Sequence, residues 1–458
     1  MEQRSVSPFY ILVIILLEGF VTISVEILAI RQLLPEVGNN IIITSLIIGI
    51  FLLFLAYGYQ AGGRQHKNLF KALQRNFFLA AIGIGLGLSF LFIDTFFSVG
   101  RHLEVNLLAI LVIYLLLIIA PITYLLGQTV PITMNLLPAQ TVGALGGKVL
   151  FLSTIGSFLG AVLTTVLLMN FLGVAWTVII NYLILASLIL LITPTPQRLI
   201  MILVLLMLGF VVYVVNRGIE TRMFVETTPY GNYEVQKEQV YGQPGKILSI
   251  NRSHSSFLSA QKKGFPYIET IKNILFKHMA LRNKDILVLG AGGFTLSAEN
   301  TYGNRFTYVD IEPRIYPIVE QHFLKPINGT FIAADARRFV KEHPHSFDAI
   351  VSDTFSNIAN IPSQLLTVQY FQDLKHALKP GGVAIFNIIA SPFLKTTYSK
   401  RVDNTLRAAF GTCLAYPLFF TTQDLTNIIY VCQDNKESHD TMIYTDNLNR
   451  ANLDIYFQ

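Results

Sequence analysis

Residues 285–310 read DILVLGAGGFTLSAENTYGNRFTYVD. A short apolar run, 286–289, meets the glycine turn Gly290-Ala-Gly-Gly293, and a second apolar run, 306–309, ends on Asp310. Short apolar runs bounded by turn residues and separated by a crossover predict adjacent parallel strands. Missing side chains in the turn let a ligand lie against the backbone and the N-terminus of the helix that follows. Asp310 follows Gly290 at about 20 residues, the spacing from which a carboxylate accepts hydrogen bonds from ribose hydroxyls. This stretch predicts a nucleoside-binding α/β domain.

Downstream, further apolar runs at 330–333, 349–352 and 383–388 alternate with helical stretches, which predicts a doubly wound, Rossmann-like parallel sheet. In such a sheet ligands bind at the carboxyl ends of strands. Two more acids stand at those ends: Asp335, followed by Ala336, and Asp353 in Val-Ser-Asp-Thr. Leu378-Lys-Pro-Gly-Gly382 punctuates the chain before a late strand. Upstream, runs at 233–241 and 246–251 flank Gly242-Gln-Pro-Gly245 and predict a hairpin, so a small β unit (221–262) precedes the main domain (263–458).

Residues 1–220 are of another kind. The chain is 52% hydrophobic and only 14% charged, and its long uncharged runs lie before Asn216. A bilayer core needs about 20 apolar residues per helix. Candidates fall near 9–33, 41–60, 77–97, 106–126, 149–171, 174–193 and 198–215, about seven spans in a multi-pass helical bundle. Pro121 and Pro131 predict a broken or re-entrant helix. Glu18 and Glu26 lie within the first run, where an ionisable group marks either a functional site or a structural partner such as Arg31 for Glu26. The pairs Gly58/Gly62, Gly143/Gly147 and Gly156/Gly160 have the spacing that lets helix backbones approach closely. The first apolar run is too long for a cleavable signal peptide.

Composition excludes other classes. Two cysteines, Cys413 and Cys432, speak against a disulfide framework or a cysteine-rich zinc site, and no paired-histidine motif calls for a metal. The net charge of +6 is dispersed, without the basic stripe of a nucleic-acid binder.

The glycine turn, the strand-end acids and the segment around Tyr267 together resemble the spermidine synthase (polyamine aminopropyltransferase) family, a branch of the methyltransferase-like fold, over about residues 223–435. The whole chain looks like its membrane-fused bacterial members, on Glu26 with Arg31, 58–64, Leu126-Gly-Gln-Thr-Val-Pro131 and Ser153-Thr-Ile-Gly-Ser157. The resemblance implies that S-adenosylmethionine, or its decarboxylated form, is a substrate. Gly290, Gly292 and Gly293 would line its adenosyl group, Asp310 would bind the ribose, and Asp335 with Ala336 the adenine. Asp353 matches the first acid of the catalytic loop, and Tyr267 and Glu269 fit the Tyr-His-Glu segment with Ile268 in place of its histidine. It also implies an amine acceptor, release of methylthioadenosine, and a homo-oligomer.

The departures fall on the acceptor side. An expected acid is absent at Gly293, Ser356 replaces the second catalytic-loop acid, Lys263 and Gly264 stand for Asp-Glu, and Gln369 stands for a glutamate. A polyamine needs carboxylates to replace its lost hydration. Four outcomes follow as expectations: an aminopropyltransferase, an adenosylmethionine lyase without a polyamine acceptor, a methyltransferase using the same pocket, and a nucleoside-sensing transporter.

Sidedness is in conflict. The most basic short loop carries Arg64, Lys67, Lys71 and Arg75 and belongs in the cytoplasm, which with seven spans puts the C-terminal domain outside. Supply of a cytosolic nucleoside argues for the inside of the plasma membrane, and on that ground the C-terminal domain is expected to be cytoplasmic.

Overall fold

The computed structural model describes residues 8–38, 41–136, 142–354, 363–419, 425–434, 442–447, 449, 451 and 454. The chain divides into two compact units, 1–231 and 232–458.

The first unit holds seven helices long and apolar enough to cross a membrane: Phe9–Val37, Ile41–Gly63, Leu69–Gly87, Leu107–Met134, Gly146–Leu172, Val174–Ile192 and Thr195–Met223. The third begins earlier than expected, at Leu69. A separate helix, Phe90–His102, takes the rest of that apolar run, because the Ser89 hydroxyl caps it by accepting from the Phe92 N–H at 3.2 Å. The helical path through Pro121 and Pro131 continues to Met134, since each proline sits in the first turns of a helical segment where its missing N–H costs little.

Two of the three glycine pairs pack backbone on backbone. A Cβ on Gly58 would stand 2.5 Å from the Tyr124 carbonyl oxygen, and one on Gly62 2.6 Å from that of Gln128. Gly156 and Gly160 press on the carbonyls of Leu16 and Phe20, and Gly19 answers from the first span against Ser153. Gly147, by contrast, would meet nothing within 4 Å, so the third pair holds no helix contact there. Gly156→Val is expected to force the first and fifth spans apart, at a cost of about 1–3 kcal/mol or more. A lower thermal midpoint of the detergent-solubilised protein reads this out, and an unchanged midpoint contradicts it.

Among the described residues no ion pair joins Arg31 to Glu26. The Arg31 guanidinium donates instead to the Thr228 carbonyl, at 3.0 and 2.5 Å. Glu18 is buried and accepts from the Thr22 hydroxyl one turn on, at 2.6 Å.

The second unit opens with three antiparallel strands, β1 (Asn232–Val240), β2 (Gln243–Ile250) and β3 (Ser253–Ser259). The connections are two-residue turns with positive φ at Tyr241 and Gly242, then at Asn251 and Arg252, the twist that suits a tight hairpin. The Ser-rich strand β3 carries too little apolar pattern to be foreseen.

Seven further strands form one mixed sheet: β4 (Asp285–Leu289), β5 (Arg305–Asp310), β6 (Thr330–Ala333), β7 (Phe347–Ser352), β8 (Leu378–Ala390), β9 (Gly411–Pro417) and β10 (Thr426–Asp434). Their order is β9-β10-β8-β7-β4-β5-β6. The five expected strands are parallel. Two strands beyond those expected extend the sheet, and β10 runs antiparallel between β8 and β9. Leu287, Leu289, Ile350 and Phe386 of the central strands are buried with Phe371, Leu374, Leu406 and Phe410 of the flanking helices Val368–Ala377 and Thr397–Phe410. The strand order reverses between β4 and β7, the point where such sheets open a crevice at their carboxyl ends.

Cys413 of β9 and Cys432 of β10 are direct register partners and are joined by a disulfide. Composition had spoken against a disulfide framework. One bridge exists nonetheless, because the antiparallel register sets the two side chains opposite each other.

Candidate active site

The site begins at the reversal point. Gly290 leaves β4 at φ 88°, a left-handed conformation that favours glycine. Its N–H donates to the Val309 carbonyl at 2.9 Å, and the Asp353 N–H, leaving β7, donates to the Leu289 carbonyl at 2.8 Å. These bonds tie three strand ends together. A Cβ on Gly290 would overlap the Asp353 carbonyl, so the glycine is required by the approach of the Asp353 segment.

Asp353 is held on both carboxylate oxygens. Tyr267 Oη donates to Oδ2 at 3.0 Å and Asn387 Nδ2 donates to Oδ1 at 2.8 Å. Asn387, on β8 and 2% exposed, has its amide oriented in turn by Asn427 of β10, whose Nδ2 donates to Asn387 Oδ1 at 2.8 Å. Burial pushes the Asp353 carboxyl up to about 6, against the pull of the Asn387 and Tyr267 hydrogen bonds. The Tyr267 phenol is pushed well above its ordinary range by burial and then by the neighbouring Asp353 charge, so it stays a donor. The arrangement is a carboxylate that titrates near neutrality, fixed in direction, at the mouth of a glycine turn. Such a group can accept a proton.

Asp310 also faces the glycine turn. Its Oδ2 accepts from the Ala291 N–H at 2.9 Å and its Oδ1 from the Glu312 N–H at 3.0 Å. Burial raises its pKa while these two N–H groups pull it down. Each oxygen keeps acceptor capacity for a further donor such as a hydroxyl. Gly292, at φ 47°, lies against the Ser255 and Ser256 hydroxyls, and the Gly293 N–H donates to Ser256 Oγ at 2.8 Å. A side chain at Gly293 would collide with Phe323 and with Cβ of Ser256. The acid missing there has no room.

Asp335 is exposed and caps the helix Ala336–Glu342, accepting from the Arg338 N–H at 2.8 Å. Ala336 is the first residue of that helix. Glu269 is not brought to Asp353 by any hydrogen bond among the described residues. Its Oε1 accepts from the Gly264 N–H at 2.8 Å and from the buried Lys272 ammonium at 2.9 Å, two residues along the helix Pro266–Asn273 from Tyr267 and therefore on another face. Gln369 accepts from the Asp446 N–H at 3.0 Å. Ser356 lies outside the described residues. Lys262 lines a separate cleft with Lys237, Lys246 and Lys325, and none of the residues around Asp353 lines it. Among the described residues no cluster of three or more histidine, cysteine or acidic side chains is placed to hold a metal.

Asn387, Asn427, Lys272 and the Ser255–Ser256 pair were missed from sequence. Asn387 had a signal, a lone amide in the apolar run Ala384-Ile-Phe-Asn-Ile-Ile-Ala390. Asn427 had none, since its meeting with Asn387 depends on the β8–β10 register.

Tyr267→Phe removes one donor from Asp353. Turnover is expected to fall about tenfold at neutral pH, and the midpoint of the pH–rate profile to move above that of the wild type. A profile that falls in height without moving would show that the phenol does not act on the carboxylate.

The spermine/spermidine synthase domain model matches residues 264–442. A polyamine aminopropyltransferase of Sulfolobus acidocaldarius is 29% identical over 208 residues, which cover 43% of this chain and 67% of that protein. An N-terminal histidine N-methyltransferase of Emericella nidulans is 30% identical over 185 residues, 38% of this chain and 32% of the relative. The chain thus spans about two thirds of the first relative's length and about a third of the second's. Among solved structures, a probable spermidine synthase from Corynebacterium glutamicum aligns with 46% of this chain and 81% of its own, at 21% identity and TM-score 0.39.

Proposed function

From a C-terminal part that is a spermidine synthase domain, we propose that the protein is a membrane-bound enzyme of the aminopropyltransferase type. It binds S-adenosylmethionine or its decarboxylated form and releases methylthioadenosine. The observation that carries this reading is the Asp353 carboxylate, held between Tyr267 and Asn387 and pressed by its own carbonyl against Gly290. The adenosyl group would lie along Gly290, Gly292 and Gly293, with Asp310 on the ribose hydroxyls and Asp335 with Ala336 at the base.

In the transfer, an amine nitrogen attacks the carbon next to the sulfonium. The carbon–sulfur bond breaks with its electron pair going to sulfur, which leaves as the neutral thioether methylthioadenosine. One proton goes to Asp353, either from the protonated amine before attack or from the new ammonium after it. Tyr267 and Asn387 keep the accepting oxygens aimed, and the chemistry gains chiefly from orientation. Glu269 then acts by positioning: tied to Gly264 and Lys272, it holds the helix that carries Tyr267.

A second reading has its own support. Among the described residues the acceptor side is poor in free carboxylates, because Gly293 is walled by Phe323 and Ser256 and Glu269 is engaged by Lys272. That favours cleavage of adenosylmethionine itself, by elimination or by attack of its own carboxylate, with no polyamine. Incubating the purified protein with each nucleoside, with and without putrescine, tests both. A putrescine-dependent aminopropyl product supports transfer, and methylthioadenosine from adenosylmethionine alone supports the lyase. Adenosylhomocysteine as product would mean a methyltransferase. Binding without any turnover would overturn the enzymatic reading.

A further inference from the structure

We propose that the C-terminal unit lies on the non-cytoplasmic, oxidising side of the membrane. The inference does not depend on the reaction proposed above. It rests on the sidedness of the helix ends, the placement of basic residues and the state of the two cysteines.

Hydrogen bonds and an ion pair within the first unit sort the helix ends into two groups. On one side, Asn135 after the fourth span donates to the carbonyls of Gly63 and Gln65 after the second, and Gln74 early in the third donates to Thr193 after the sixth, at 2.9 Å. On the other, Arg31 late in the first span reaches Thr228 beyond the seventh, and Arg101 past the third pairs with Glu36 at 2.9 Å. Asn216 late in the seventh donates to the Gly85 carbonyl near the end of the third, at 2.8 Å. Every bond joins ends that seven alternating crossings would put together. The five spans between the loop at 64–68 and Thr228 therefore place these points on opposite faces.

The basic residues divide unequally. Arg64, Lys67, Lys71, Arg75, Lys148 and Arg198 stand on the first side, against Arg31, Arg101, Arg217 and Arg222 on the second. An excess of lysine and arginine in short loops marks the cytoplasmic face. The first side is then cytoplasmic, and the chain beyond the seventh span emerges on the other.

The disulfide is independent of that count. Cys413 and Cys432 are both buried and bonded to each other, and they are the chain's two cysteines. Disulfides persist in oxidising compartments and are rare where thiols are kept reduced. Charge and redox state agree, and the expectation of a cytoplasmic domain, which rested on substrate supply alone, gives way. If the site takes the sulfonium nucleoside proposed above, a cytoplasmic supply of it would have to cross the membrane.

Two measurements on the full chain in a bacterial host test the proposal, and neither reads activity. Cells are quenched with N-ethylmaleimide and the protein is denatured and treated with a polyethylene-glycol maleimide. A two-label gel shift is expected only when the denatured protein is first reduced. Separately, Tyr241→Cys at the exposed hairpin tip and Lys67→Cys in the basic loop are made on the wild-type background. A membrane-impermeant maleimide should label Tyr241→Cys in intact spheroplasts and Lys67→Cys only after lysis. The reverse labelling, or two labels taken up by the denatured protein without reduction, or no label even after reduction because N-ethylmaleimide had blocked free thiols in cells, would overturn the proposal.

Discussion

Asp353→Asn is expected to slow methylthioadenosine release by about 10²- to 10⁴-fold, the range set by loss of a general base, while nucleoside binding persists. The substitution is nearly isosteric, and the network around it survives. The new amide oxygen still accepts from Asn387, its NH₂ donates to Tyr267 Oη, and the phenol keeps the Ser255 carbonyl as acceptor at 3.2 Å. Lost turnover would therefore report lost proton acceptance and not a collapsed site. In the wild type the rate should climb with pH through about 6, where the Asp353 carboxyl titrates, and then level. Full activity in Asp353→Asn would sink the mechanism.

The same residue carries a stability signature of opposite sign. Its folded-state pKa is raised from 3.8 to about 6, so the native state binds the proton more tightly than the unfolded chain. Its own contribution to stability is then most favourable at low pH, falls between about pH 4 and 6, and is a constant cost above that, of order 2–3 kcal/mol. Asparagine removes the term. Asp353→Asn should melt higher than the wild type at pH 7 and show a flatter melting profile across pH 4–6, the trade of stability for activity found where active sites bury charge.

Gly290→Ala is expected to weaken nucleoside binding by at least about 100-fold and to lower turnover with it. A left-handed alanine costs about 1–2 kcal/mol by itself. Here the added methyl also meets the Asp353 carbonyl, and neither backbone can yield freely, because the Gly290 and Asp353 N–H groups are bonded to Val309 and Leu289. Relief has to come from opening the turn, which moves Ala291 away from Asp310 and swings Asp353 off Tyr267. Calorimetric titration with adenosylmethionine checks the affinity. Near-wild-type binding would mean that the nucleoside does not lie along this turn.

Much of this was legible because it is local. The runs at 286–289 and 306–309 are short, apolar and flanked by turns, so their strand identity follows from pattern, and Gly290, Asp310, Asp335 and Asp353 follow from standing at strand ends. The membrane runs follow from length and hydropathy alone. Boundaries were less legible: a single capping hydroxyl, Ser89, divides one apolar run between the third span and a separate helix.

By itself the sequence determined the two kinds of unit, the parallel core of the sheet and the strand-end acids, since each depends on residues within a few positions of one another. Only the tertiary structure decided what those acids touch. Asn387 reaches Asp353 across neighbouring strands, and Asn427 reaches Asn387 through an antiparallel strand that the pattern did not announce. Glu269 meets Lys272 and the Gly264 N–H, and Cys413 meets Cys432 because the register of β9 and β10 places them opposite. Hydrogen bonds and disulfides act over about 2–3 Å, so they are fixed by how distant segments pack, which no periodicity along the chain encodes.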